Sequence, residues 1–79
     1  MTNEDMKDLL SEAENRLAKP LVDIAIDRLE GLVGMGMPEA ELYLTQPIGI
    51  INRASELLIS AGFTSRVDND CLLIIGVTL

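Results

Sequence analysis

Apolar residues recur every three or four positions through the first part of the chain. Met6, Leu9, Leu10, Ala13 and Leu17 fall on one side of a helix, and Asp5, Asp8, Glu12 and Arg16 form a polar stripe beside them, the arrangement a 3.6-residue repeat imposes on an amphipathic segment. Thr2 precedes the run with Asp5 three residues later, a pairing in which each side chain can satisfy the other's backbone N–H at a helix start. The pattern predicts a helix over about residues 3–18. Lys19-Pro20 is expected to break or kink it, because proline disfavours helical geometry in the residue before it yet fits a first helical turn. A second helix is therefore expected to start at Pro20. Its broad apolar face comprises Val22, Ile26, Leu29 and Val33, flanked by Leu21, Ala25 and Leu32.

Glycines 31, 34 and 36 and then Pro38 punctuate the end of that helix, as expected where a chain changes direction. The next segment, PEAELYL, reads as a short helix over residues 38–44, and Thr45-Gln46-Pro47 opens a further one reaching Ala61. Gly62 is placed as the left-handed residue after that helix, with Phe63 folding back on Leu58. Beyond it, Phe63–Val67 and Cys71–Leu79 read as two strands around Asp68-Asn69-Asp70, residue types that tolerate hairpin turn conformations. The reading is an α+β fold with three to four helices followed by a C-terminal β-hairpin. It makes one small domain over residues 1–79, divided into an N-terminal helix (1–19), a helical core (20–62) and the hairpin (63–79).

The last strand raises a packing problem. Strand alternation places Phe63, Val67, Cys71, Leu73, Ile75, Val77 and Leu79 on one face and leaves Leu72 and Ile74 on the other. An apolar edge strand of this kind invites pairing with another chain. Either the N-terminal helix covers Leu72 and Ile74 within one monomer, or these two residues form an oligomer interface in a homodimer. The homodimer is the slightly favoured expectation.

The segment INRASELLISAGFTSRVDNDCLLIIGVT, in which a helix, an Ala-Gly stop, an Arg-containing strand and a turn precede a strand ending in Thr, resembles the end of a winged-helix module. The resemblance implies residues 20–36, 38–44 and 47–61 as the three helices and 63–79 as the wing. It also implies a DNA-binding transcriptional regulator. The segment from Glu41 to Gly62 is about two residues shorter than this resemblance leads one to expect, and the third helix offers Arg53 as its single base.

Charge argues against nucleic acid as a direct partner. The chain has thirteen acids against six bases and a net charge of −7, with ten of the acids and four of the bases in residues 1–41. Phosphate neutralisation by Lys and Arg supplies much of the affinity for DNA, and anionic membranes are disfavoured for the same reason. Asp23, Asp27 and Glu30 lie on one helical stripe, and Glu39 and Glu41 extend the negative surface. Such stripes are ordinarily solvated helix faces, but they also suit a basic protein partner.

The chemistry of the side chains narrows the reading further. There is no His, which removes the commonest general base and metal ligand. Cys71 is the single cysteine, so it forms no intramolecular disulfide, and its neighbours Asp70 and Leu72 favour the neutral thiol of a structural cysteine. Asp68-Asn69-Asp70 has the first spacing of a calcium loop, but Leu72 and Leu73 follow where further ligands and a glycine belong. GMGMPE has two glycines of a dinucleotide motif and Glu39 where the third belongs. The longest apolar run, within CLLIIGV, is far short of the ~20 residues that span a bilayer, and the acidic start is unlike a signal peptide. The expectation is a non-enzymatic cytoplasmic protein without cofactor or metal. It acts as a small acidic interaction module, for example a phage-encoded inhibitor or an adaptor docking on a basic or nucleic-acid-binding site of a larger protein. Asp23, Asp27, Glu30, Glu39 and Glu41 are the expected partner-binding residues, and a winged-helix-like DNA-binding regulator is the alternative.

Overall fold

The structure, a computed structural model, describes all residues from Met1 to Leu79. Two helices pack on one face of a three-stranded antiparallel sheet in the order α1 (Asn3–Val33), β1 (Glu39–Tyr43), α2 (Ile48–Ser60), β2 (Thr64–Asp68) and β3 (Leu72–Gly76). The α+β class is as expected, whereas the helix count is two and not three to four.

Two local expectations about the start of the chain have different outcomes. Asp5 N–H donates to the Thr2 hydroxyl at 3.2 Å and Thr2 N–H donates to the Asp5 carboxylate at 3.0 Å, so the capping box forms. These bonds hold the Asp5 carboxyl below its usual range, the backbone N–H contributing most and the Thr2 side chain next. The break at Lys19-Pro20 does not form. α1 continues through Pro20 for 31 residues, although an internal proline removes one backbone hydrogen bond and crowds the preceding turn. Pro20 and Arg16 are both exposed, so the carbonyl that loses its partner can be hydrated. Ala18 and Leu21, on either side of the proline, are both buried in the same core. Packing keeps the two halves in one continuous helix.

The larger correction concerns residues 38–44. Glu39–Tyr43 is a strand whose residues alternate between exposed and buried, with Ala40 and Leu42 turned inward. Its alternation has the two-residue period of a half-buried strand, even though Ala, Glu and Leu favour helices locally. β1 pairs with β3 through Ala40 opposite Ile75 and Leu42 opposite Leu73. Bonds from Leu44 N–H to the Cys71 carbonyl (2.8 Å) and from Val77 N–H to the Pro38 carbonyl (3.1 Å) extend the ladder at both ends.

β3 is consequently the central strand, with β1 and β2 on its two edges, and not the edge of a two-stranded hairpin. Within the strand the face assignment from alternation holds, with Leu73 and Ile75 on one side and Leu72 and Ile74 on the other, whereas Leu79 lies beyond the strand and is exposed. Leu73 and Ile75 are completely buried against Leu21, Ala25, Leu29, Ile51, Ala54 and Leu58 of the helices. Leu72 and Ile74 point away from the helices, where Ile74 lies between Glu41 and Arg66 and Leu72 between Tyr43 and Asp68. Ile74 is still 5% exposed, because long charged side chains on adjacent strands lay their aliphatic stems over a central residue.

The stops on α1 and α2 follow one design. After α2, Gly62 has φ +99°, its N–H reaches the Ile59 carbonyl at 3.0 Å, and Phe63 N–H reaches the Leu58 carbonyl at 3.1 Å, the paired bonds of a Schellman stop. After α1, Gly36 takes φ +86° with equivalent bonds from Gly36 to Val33 and Met37 to Leu32. In the β2–β3 turn Asn69 and Asp70 are both left-handed, at φ 53° and 58°, and Cys71 N–H donates to the Asp68 carbonyl at 3.3 Å. Asp68-Asn69-Asp70 is therefore turn chemistry.

Candidate functional site

The expected partner-binding acids occupy two surfaces. Asp23, Asp27 and Glu30 are exposed on the side of α1 turned away from the core residues Leu21, Ala25 and Leu29. Glu39 and Glu41 are exposed on β1, on the sheet face turned away from the helices because their neighbours Ala40 and Leu42 face the core. The helix stripe and the strand pair thus look out from opposite sides of the molecule. No base lies within ion-pair distance of any of the five; the ion pairs are Lys7 with Glu4, Arg53 with Glu56 and Arg66 with Asp68. Their charges face solvent without internal neutralisation.

Glu39 borders two shallow depressions, the second of them together with Glu41. One is formed with Thr64, Ser65, Arg66 and Ile74, and the other with Leu32, Gly36, Met37 and Pro38. Met37 is 49% exposed and Met35 76%. This places flexible thioethers, which adapt to irregular contacts, beside the strand acids.

The polar groove between α1 and α2 was not anticipated from the sequence. Ser11, Glu14 and Asn15 of α1 face Gly49, Asn52, Arg53 and Glu56 of α2 across it. Arg53 donates through Nε to the Asn15 side-chain oxygen and through Nη1 to Glu56 Oε2 at 2.8 Å. A Cβ at Gly49 would meet the carboxylate of Glu14, which lies over the glycine. The sequence signal for the groove was Gly49 in the first turn of a helix, opposite no recognisable motif. Its effect is to engage the single base of α2 inside the molecule.

A second polar link joins α2 to the sheet. The hydroxyls of buried Ser55 and of Ser65 lie 2.8 Å apart, and Ser65 donates to the Ile74 carbonyl at 3.0 Å. Ser55 is thereby satisfied inside the core, consistent with a structural role. Cys71 is a half-buried free thiol at the hairpin turn. No three His, Cys, Asp or Glu side chains converge on a point where a metal ion would sit. No helix is long and apolar enough to cross a membrane.

Leu72 and Ile74, the expected oligomer interface, are divided by exposure. Ile74 is buried and Leu72 half-buried, and since both edges of β3 are taken by β1 and β2, these residues offer a face and no free strand edge. Compared with known protein families, curated proteins and solved structures, the chain matches none.

Proposed function

We propose that this protein is a small acidic interaction module that docks on a basic site of a larger protein, as an inhibitor or adaptor does. The observation that supports this reading most directly is the set of exposed, internally unpaired carboxylates Asp23, Asp27 and Glu30 on α1 and Glu39 and Glu41 on β1. Complementary charge of this kind accelerates encounter with a cationic surface more than it tightens the final complex. The two acidic surfaces lie on opposite sides, so a single flat partner would engage one of them. The helix stripe is the better candidate because its three carboxylates lie on a rigid element.

A basic site that normally binds nucleic acid is a natural target for such a surface. The alternative is a DNA-binding regulator related to winged-helix modules. In that reading α2 would face the phosphates, but Arg53 is held by Asn15 and Glu56 and the hairpin turn carries Asp68 and Asp70.

The test captures partners from host lysate on the immobilised protein and on a D23N/D27N/E30Q variant. Proteins retained by the wild type at low salt should be lost from the variant, and their association should slow as salt screens the field. Equal capture by both, with equal on-rates at low salt, would exclude the α1 stripe. Micromolar binding of mixed-sequence duplex DNA in fluorescence anisotropy at ~150 mM salt would favour the regulator.

A further inference from the structure

α1 is longer than the body it packs on. Its 31 residues extend about 46 Å at the α-helical rise, while the whole molecule measures 51 × 22 × 17 Å. The buried residues of α1 begin only at Ala18 and its contacts with α2 at Ser11, Glu14 and Asn15, so its first two turns project with little support from the core. A helical segment of ~12–15 residues is marginal in water by itself.

The first half of α1 carries an uncovered apolar stripe. Met6 is 55% exposed, Leu10 60% and Leu17 46%, with Leu9 beside them at 53%, and half-buried Ala13 lies between Leu10 and Leu17. Met6, Leu10, Ala13 and Leu17 are spaced by four, three and four residues, the alternation of a helix-pairing seam. The stripe runs at its C-terminal end into buried Leu21, four residues beyond Leu17, while Ala18 and Ala25 mark the side of the helix turned to the core.

Charge along the flank of the stripe identifies the occupant. Asp5 and Arg16 are separated by eleven residues, about three turns, and so lie on the same flank, with Asp8, Glu12 and Lys19 close by. Neither Arg16 nor Lys19 has an acidic partner within the chain. An antiparallel two-fold pairing that sets Met6 against Leu17 and Leu10 against Ala13 brings the same flank of both copies together. It places Asp5 of each copy between the levels of Arg16 and Lys19 of the other, while Asp8 falls beside Arg16 of the other copy and Glu12 near its own counterpart. Parallel pairing would instead set this flank against the opposite flank of the other copy, where Ser11 and Glu14 already face α2. Acid at one end and base at the other, repeated on both chains, is the self-complementary pattern that an isologous interface requires.

We propose that the first half of α1 forms an antiparallel helix pair with the same segment of a second copy, through Met6, Leu10, Ala13 and Leu17. This surface is distinct from the acidic stripe at Asp23, Asp27 and Glu30, so dimerisation and partner docking are separable. Self-association by sedimentation equilibrium needs no partner and tests it directly.

The wild type should sediment as a dimer at ~100 µM, a concentration well above the dissociation constant of a modest specific dimer. Leu10→Lys, at an exposed position, should sediment as a monomer with the sheet and α2 intact by amide exchange. A monomeric wild type at that concentration overturns the proposal, and so does a dimer that Leu10→Lys leaves undisturbed. Orientation is read by cross-linking in a Cys71→Ser background. Met6→Cys and Leu17→Cys chains, when mixed, should form the mixed disulfide in preference to either self-disulfide, since two copies of position 6 lie about 16 Å apart in the antiparallel pair. Efficient Met6→Cys self-linkage overturns the antiparallel arrangement.

Discussion

At the scale of single residues, backbone conformation explains several positions that side-chain chemistry does not. Gly62 closes α2 at φ +99°, and a Cβ there would meet no neighbour within 4 Å. Its requirement is therefore conformational and not steric. Gly62→Ala should cost about 1–2 kcal/mol, the cost of holding an L-residue left-handed, read as a lower urea midpoint at unchanged m-value. Gly76 is required for the opposite reason, since a Cβ there would approach Thr64 Oγ1 to 2.7 Å and Glu39 Cγ to 3.2 Å. The central strand passes there between two side chains of its neighbours. The carboxylates at the proposed docking surface show no comparable constraint, and their role rests on charge alone.

At the scale of elements, Pro20 and β1 show how neighbours decide what a segment becomes. Pro20 lies within a continuous helix on an exposed face, where proline is about 3 kcal/mol less favourable than alanine. Part of that difference is returned because proline also restricts the unfolded chain. Pro20→Ala should stabilise the protein by roughly 1–3 kcal/mol, seen as a higher melting temperature with slightly greater helical signal. A lower melting temperature would mean that the proline sets a bend the core needs. β1 is the converse case. Residues that favour a helix locally are drawn into a strand because β3 would otherwise present an unpaired edge beside Leu73 and Ile75.

At the scale of the whole molecule, one core holds every element. Ile75 is fully buried on the central strand, in the cluster that includes Leu29 of α1, Ala40 of β1 and Ile51 of α2. Ile75→Ala should cost about 2–5 kcal/mol, a large share of the ~5–15 kcal/mol that stabilises a small domain. It should unfold helices and sheet in one transition by circular dichroism. Separate loss of sheet and helix signals would show that α1 and α2 hold together without β3. The first two turns of α1 lie outside this cooperative unit, since they are exposed and precede the contacts of Ser11, Glu14 and Asn15 with α2.

What the sequence determined by itself is the set of features governed by neighbours a few residues apart. The Thr2–Asp5 cap, the Gly62–Phe63 stop, the left-handed turn at Asn69-Asp70 and the division of Leu73 and Ile75 from Leu72 and Ile74 are all legible, because helix period, strand alternation and left-handed tolerance act within one or two turns of chain. The candidate acids were legible as charges for the same reason. Tertiary structure alone decided that α1 runs on through Pro20, that residues 39–43 form a strand, that β3 lies in the centre and that the acids divide between opposite faces. Each of these depends on a partner more than ten residues away. Shared burial of Ala18 and Leu21 outweighs the proline, and the hydrogen-bonding edge of β3 outweighs the helix propensity of Ala40, Glu41 and Leu42, since burial and pairing contribute more than local preference.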